Sequence, residues 1–537
     1  MPKAATTAGR ASSTLLLALL AAACEPGPDG HAATVFYASG AELQSINPLV
    51  TVHPLAKQVQ KHVLFLTLAD YDERMEPRSR LATWTWSDDR RRLQFELRRD
   101  VRWHDGTPTT AADVVWTLDR ARDPRVAYPR ATELRDVTGA VARDSFSLTL
   151  QFRRPQPVFP DVLTDLAILP RHRLTAVPPE RLREAPFNRA PVGNGPFVFV
   201  EHRANQRWVF DRSPGFPAAL GQPHVDRFVV AIVDEPTTKL AALTSGELDF
   251  AGINPAHAAF VRRDARLQVI DYPILLSYAV VFNLRRVPFD DPTVRRALSR
   301  AIDRGTIIRA YLFGFGTVAS GPVSPEHPWY NTADSIPFDP AAAAALLEAG
   351  GWRRGPDGVR VRNGARLAFD LLTVGTGDMA LEQMLQAQWR GLGVAVRIRQ
   401  LELTTFLATA QSSARDFDAL VTGIPGDFAL GHVAAMFDGD GPLAYPGLRD
   451  AAVAAAFGAV RAAGTATELE AAWRGVQRAL AAVEAVAWVY HARGVQGAAR
   501  RVAGVRIDLR GELAGIAAWR LATTPADGRG GTEGGWP

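Results

Sequence analysis

At 537 residues the chain is too long for one compact core and long enough for two or three domains. With 47% apolar and 22% charged residues its composition is that of an ordinary globular protein, which excludes a fibre or a wholly disordered chain. The net charge is only +5, and arginines sit among acidic neighbours, as in Asp88-Asp89-Arg90-Arg91-Arg92, so no basic stripe is offered to a nucleic acid.

The first segment reads as an export signal. Lys3 and Arg10 give a positive start, Leu15-Leu16-Leu17-Ala18-Leu19-Leu20 a short apolar core, and Ala21-Ala22-Ala23 small residues ahead of Cys24. Such a run is too short for a stable membrane-spanning helix but suits secretion, so residues 1–23 are expected to be a signal peptide. Cys24 is the only cysteine, which excludes an intramolecular disulfide. It stands where a bacterial lipoprotein signal places its acylated cysteine, although the leucine usual at position −3 stands one place earlier, at Leu20. Cys24 is therefore expected to carry lipid, with residues 24–33, rich in Pro and Gly, as its tether.

The body opens with a strand-like run, Thr34-Val35-Phe36-Tyr37-Ala38, that breaks at Ser39-Gly40. Alternating Leu93, Phe95, Leu97 and then Phe146, Leu148, Leu150, Phe152 predict strands with one buried face. Between them Thr110-Ala111-Ala112-Asp113 forms a capping box that opens a helix through Val114, Val115, Leu118 and Ala121, and Asp105-Gly106 predicts a tight turn. Two strands, 197–200 and 207–210, follow the turn Gly193-Asn194-Gly195-Pro196. The second half is more helical. Asp291-Pro292 and Asp339-Pro340 each place an N-cap before a proline, the first ahead of the stripe Val294, Ala297, Leu298, Ala301, Ile302 and the second ahead of 341–349. Further helices are predicted at 379–391, 449–463 and 467–486, with strands at 367–372, 394–399 and 419–422. This alternation predicts α/β lobes with covered sheets. Residues 523–537, rich in Gly, Thr and Pro, are expected to form a disordered tail.

Catalytic constellations are missing from the sequence: there is no phosphate-cradling loop, His-Glu-x-x-His or nucleophile elbow. His104-Asp105 reads as part of a hairpin beside Trp103 and Gly106, because adjacent residues on a turn point apart. The other histidines show no metal-ligand spacing, and Asp290-Asp291 has a capping role available. No catalytic residue, cofactor or metal is expected.

Several blocks recur in a familiar order. Leu81-Ala82-Thr83-Trp84, Leu93-Gln94-Phe95-Glu96-Leu97-Arg98 and Val101-Arg102-Trp103-His104-Asp105-Gly106-Thr107-Pro108 run into Thr110-Ala111-Ala112-Asp113-Val114-Val115-Trp116. Asn47-Pro48-Leu49, Pro191-Val192-Gly193-Asn194-Gly195-Pro196-Phe197, Gly246-Glu247-Leu248-Asp249, Phe282-Asn283 and Pro288-Phe289-Asp290-Asp291-Pro292 accompany them. In order and spacing these resemble the extracellular solute-binding proteins of the oligopeptide and dipeptide type, family 5, from about residue 34 to residue 521.

That resemblance implies an α/β, two-lobed, periplasmic-binding-protein-like clamshell with mixed sheets. Lobe I would take 34–277 with 494–522 returning to it, and lobe II 278–493, hinged near 278–283 and 490–493. It implies a monomer that encloses a solute, a peptide before a metal chelate, oligosaccharide or haem, and hands it to an ABC permease and its ATPase; a sensor without an importer is the alternative. The protein would work in the periplasm or at the cell surface, held to the membrane by its lipid alone. Peptide-binding members neutralise the ligand's α-ammonium with an Asp on a lobe II loop. In the matching stretch, 417–428, Asp427 is the candidate, with Phe428 beside it, although Gly423-Ile424 stands where the family usually carries a Trp. On the facing lobe the loop 39–42 brings Ser39 and Glu42 toward the cleft, and Asn283 completes the expected ligand-binding set.

Overall fold

Two long strands, Leu267–Phe282 and Val486–Ala499, pair antiparallel and run through both halves of the molecule. The computed structural model describes residues 33–51, 53–331, 336–375 and 378–522. Residues 1–23, Cys24, most of the expected tether and the tail 523–537 lie outside the described residues.

The long pair sits mid-way in an eleven-stranded mixed sheet. On one side follow Phe250–Gly252, Thr34–Ser39, Arg227–Ile232, Arg207–Arg212 and Phe197–Arg203; on the other Ala419–Pro425, Ala368–Val374 and Ala395–Leu401; the eleventh strand, Gly316–Val318, pairs with Val486–Ala499 off this path. Parallel pairs, such as Thr34–Ser39 with Arg227–Ile232, occur beside antiparallel ones, such as Arg227–Ile232 with Arg207–Arg212. The regular ladder of the long pair breaks between Pro273↔Arg493 and Ser277↔His491, and again between Tyr278 and Ala279. Irregularities of this kind bend a strand, and Pro273 has no amide to donate there. The break falls ahead of the expected connection 278–283, where Ala279, Val280, Val281 and Phe282 are buried and in register with Ala419–Pro425.

Separate cores flank that break, one large core on the first side and two, on opposite faces of the sheet, on the other. The first gathers Val35, Tyr37, Phe95, Leu150, Trp208 and Phe228 with Trp519 from the returning C-terminal segment. It includes a second, four-stranded antiparallel sheet, Ala82–Trp86, Arg92–Leu97, Ser147–Phe152 and Val137–Ala142, packed on the helix Ala111–Arg122. The predicted capping box is formed: Asp113 Oδ2 accepts from the Thr110 amide at 2.8 Å and from its hydroxyl at 3.0 Å. His104 is structural, its Nε2 lying 3.0 Å from the Gly195 carbonyl. Gly193 is required by contact, since a Cβ there would stand 2.0 Å from the Leu64 carbonyl oxygen.

The other half is layered helix, sheet, helix. Val280 and Phe282 face the helices Pro292–Arg300, Pro340–Ala349 and Ala380–Leu392, while Ala279 and Val281 face Leu403–Gln411, Gly431–Phe437, Ala451–Ala462 and Ala466–Val483. Both faces of this strand are covered, which is why it reads as a continuous apolar run. One expectation is corrected here. The helix predicted to 486 stops at Val483, where Glu484 turns left-handed (φ 47°) and the β-branched, aromatic run from Val486 becomes the second long strand. Among the described residues no helix is long and apolar enough to cross a membrane.

Candidate functional site

The strand Ala419–Pro425 delivers a short loop to the space between the two halves. Gly426 donates its amide to the Leu275 carbonyl at 2.7 Å, which fixes the loop to the irregular stretch of the long strand. Asp427 follows. Its carboxylate accepts from the amides of Gly431 (2.9 Å) and His432 (3.1 Å) at the start of Gly431–Phe437, and lies 3.0 Å from His432 Nδ1. Burial alone would raise the carboxyl's pKa, but the bond and charge of His432 and the two amides outweigh it and hold Asp427 well below the usual carboxylate range. Its side chain keeps 31% exposure, and Oδ1 carries one of those bonds, so acceptor capacity remains.

Facing Asp427 is a charged wall from the first lobe. Arg130 pairs with Glu133 (2.6 Å), Asp161 (2.5 Å) and Asp165 (2.8 Å), and Lys57 also reaches Asp165, at 2.6 Å. Tyr71 donates its hydroxyl to Asp161 at 2.9 Å, and its ring lies 5.1 Å from that of Phe428. Burial pushes the Glu133 carboxyl up, against the pull of Arg130, and the charges of Asp161 and Asp427 push the same way. Asp165 is driven down, because Lys57 and Arg130 overcome its burial.

Two cavities share this wall. The first, about 380 Å³, is lined by Lys57, Lys61, Arg130, Arg510, Glu133, Asp161, Asp165 and Asp427. The second, about 1070 Å³, has Trp84, Phe159, Trp329 and Trp473 on its walls together with charged residues such as Arg90, Arg154 and Glu470. Tyr71, Glu133, Asp161 and Phe428 line both, so the two cavities adjoin across these residues. The pair can hold a solute with a charged end and an apolar body.

Of the residues expected from sequence, the structure brings Asp427 and Phe428 to these cavities; the other three line neither. Ser39 is buried, with its hydroxyl donating to the Ala41 carbonyl at 2.6 Å. Glu42 is occupied inside the first lobe by Trp208 Nε1 and the Asn205 amide, both at 2.7 Å. Asn283 is buried and donates to the carbonyls of Arg415 and Phe417. Sequence reasoning missed Lys57, Lys61, Tyr71 and Arg130. One signal was available: Lys3, Lys57, Lys61 and Lys239 are the only lysines in an arginine-rich chain, and two of them stand four apart.

Comparison with known proteins places this geometry among binding proteins. Residues 76–436 match the family model described as bacterial extracellular solute-binding proteins, family 5, middle part. Protein XP55 of Streptomyces lividans is 28% identical over 472 residues, 87% of this chain and 84% of its own length. A Brucella ovis protein provisionally named an ABC transporter peptide-binding protein is 28% identical over 291 residues, 54% of this chain; the match spans only 55% of that relative. Among solved structures, NikA from Brucella suis in complex with Fe(III)-EDTA superimposes with a TM-score of 0.81 at 20% identity, covering 91% of this chain and 100% of its own.

Proposed function

The chain belongs to the bacterial extracellular solute-binding proteins of family 5, which bind rather than transform their solutes, and on that footing we propose that it captures peptides between its lobes and delivers them to an ABC importer. The observation that carries this reading is Asp427. A carboxylate held ionised on one lobe faces the other lobe across a cavity, and a second cavity with Trp84, Trp329 and Trp473 on its walls adjoins it. A peptide's α-ammonium needs a counter-charge once it leaves water, and its apolar side chains need a surface such as Trp84 and Trp473. The name of the Brucella ovis relative supports peptide as the solute class.

A ligand that touches Asp427 on one lobe and the Tyr71–Arg130 wall on the other makes its full contacts only when the lobes are together, so binding favours the closed state. The lobes divide at the irregular stretch 273–278 and its partner 491–493, with 34–272 and 494–522 on one side. The protein acts as a monomer, with permease and ATPase subunits as partners. Cys24 is its acylated anchor outside the cytoplasm, and two or three acyl chains give stable attachment. Mass spectrometry of membrane-extracted protein reads the lipid directly; a free thiol at residue 24 contradicts it.

A second reading has its own observation. Lys57, Lys61, Arg130 and Arg510 line the charged cavity, and a carboxylate-rich metal chelate of the kind bound to NikA would meet them. Calorimetric titration of the purified protein with short apolar peptides, metal chelates and oligosaccharides separates the classes. Saturable binding of peptides alone is expected; binding of the chelate alone overturns the peptide reading.

A further inference from the structure

Resting on the peptide reading above, we propose that His327 is a positioning residue. Neutral, with its hydrogen on Nε2, it ties the loop that carries Asp427 to the segment that carries Trp329; a second proton unties them and weakens solute capture.

Both ring nitrogens of His327 are engaged, each by a group that leaves no choice of role. Nδ1 lies 3.1 Å from the Trp329 amide, which can only donate, so Nδ1 accepts. Nε2 lies 3.2 Å from the Phe428 carbonyl, which can only accept, so Nε2 carries the hydrogen. The residue is 4% exposed, and its ring lies 6.1 Å from that of Phe428 and 5.4 Å from that of Trp329. His327, Trp329 and Phe428 all line the larger cavity. Both ends of the tie are anchored. The Trp329 carbonyl accepts from Gln477 Nε2 at 2.8 Å, which fixes that segment to the helix Ala466–Val483. At the other end Gly426 is held by Leu275, and Asp427 by the amides of Gly431 and His432. His327 closes the frame between them, one residue from the carboxylate that faces the other lobe.

A second proton makes Nδ1 a donor aimed at the Trp329 amide, itself a donor. That bond is lost, and two N–H groups meet where water is excluded. Around the ring, Asp427 and Asp161 favour the imidazolium and His432 opposes it. Glu326, next in the chain, has its carboxylate engaged by the Ser324 hydroxyl and by Arg493. Burial outweighs these charges and the Phe428 bond, and lowers the ring's pKa from its ordinary 6.5. The tied form therefore binds fewer protons than the untied one. Affinity is complete above about pH 6.5 and falls as pH drops below it, at most tenfold per pH unit for one proton.

Calorimetry with Ala-Leu from about pH 8 to about pH 5 tests this on wild type, His327→Gln and His327→Phe. Gln offers an acceptor and a donor without titrating, whereas Phe keeps a ring and loses both bonds. At the alkaline end His327→Phe should bind about tenfold more weakly than wild type, and His327→Gln within about threefold of it. On acidification wild type should lose affinity and His327→Gln should not. Full affinity in His327→Phe overturns the proposal, as does an unchanged pH slope in His327→Gln, which would assign the titration to His432. The ring ¹⁵N signals of ligand-free protein give a reading that needs no solute. A bare Nδ1 and protonated Nε2 on His327 uphold the tie, and the opposite tautomer overturns it. If wild type binds no peptide at any pH, the peptide reading falls and these signals still decide His327.

Discussion

Asp113 and Asp427 perform one local task in two different places. Each accepts hydrogen bonds at the start of a helix, Asp113 within the first turn of Ala111–Arg122, from the amide of its cap Thr110, and Asp427 ahead of Gly431–Phe437, from the amides of Gly431 and His432. Asp113 is enclosed in the first core, 5% exposed, and also receives the Arg171 amide. Asp427 stands on a cavity wall, with the other lobe opposite. Capping supplies a preorganised negative charge in both cases. What the fold puts across from it decides whether that charge holds the chain together or remains for a ligand.

A third carboxyl breaks the pattern and carries the largest expected effect on stability. Glu512 is met by the Tyr272 hydroxyl at 2.5 Å and by no cation among the described residues, and burial pushes its pKa up to about 7. A carboxyl raised in the folded state stabilises the fold below its unfolded value of 4.5, and that contribution is lost as pH rises through about 7. Unfolding measured across this window should show wild type losing at most about 3 kcal/mol relative to Glu512→Gln. An equal slope in the variant would show that capping and cation partners are not what separates the three carboxyls.

Replacing Asp113 with Ala removes a capping box and leaves the Arg171 amide without its acceptor. Denaturant titration is expected to show a loss of about 2 kcal/mol, with peptide affinity unchanged. A fall in affinity there would erase the distinction between the two aspartates. The smallest effect is expected at Phe428, whose ring meets Tyr71 where the two cavities join. Phe428→Ala should weaken binding of apolar peptides by about 1 kcal/mol, read by calorimetry, and leave stability nearly unaltered.

Local chemistry was legible in the sequence. The Thr110–Asp113 box, the alternation of Leu93, Phe95 and Leu97, and the proline-marked helix starts are properties of neighbouring residues, and the structure contains them. The long strands were less visible. Leu267–Phe282 changes from a half-exposed to a fully buried pattern along its length, so no single period describes it. The site was legible only in part. Asp427 and Phe428 lie on one loop and could be found by resemblance, whereas Lys61, Tyr71, Arg130 and Asp161 come from separate elements that only the tertiary fold gathers. Ser39 and Glu42 line neither cavity, because a polar residue after a strand can equally well satisfy its own lobe, as Glu42 does with Trp208.

The central claim is that Asp427 receives the α-ammonium of a peptide. Its most direct test is a calorimetric comparison of one short free-amine peptide with its N-acetylated twin, on wild type and on Asp427→Asn. The account predicts that wild type binds the free amine far more tightly, and that Asp427→Asn loses about 2–5 kcal/mol of that affinity, thirty-fold or more, while binding the acetylated peptide as wild type does. Equal binding of the two peptides by wild type, or full affinity for the free amine in Asp427→Asn, would contradict it.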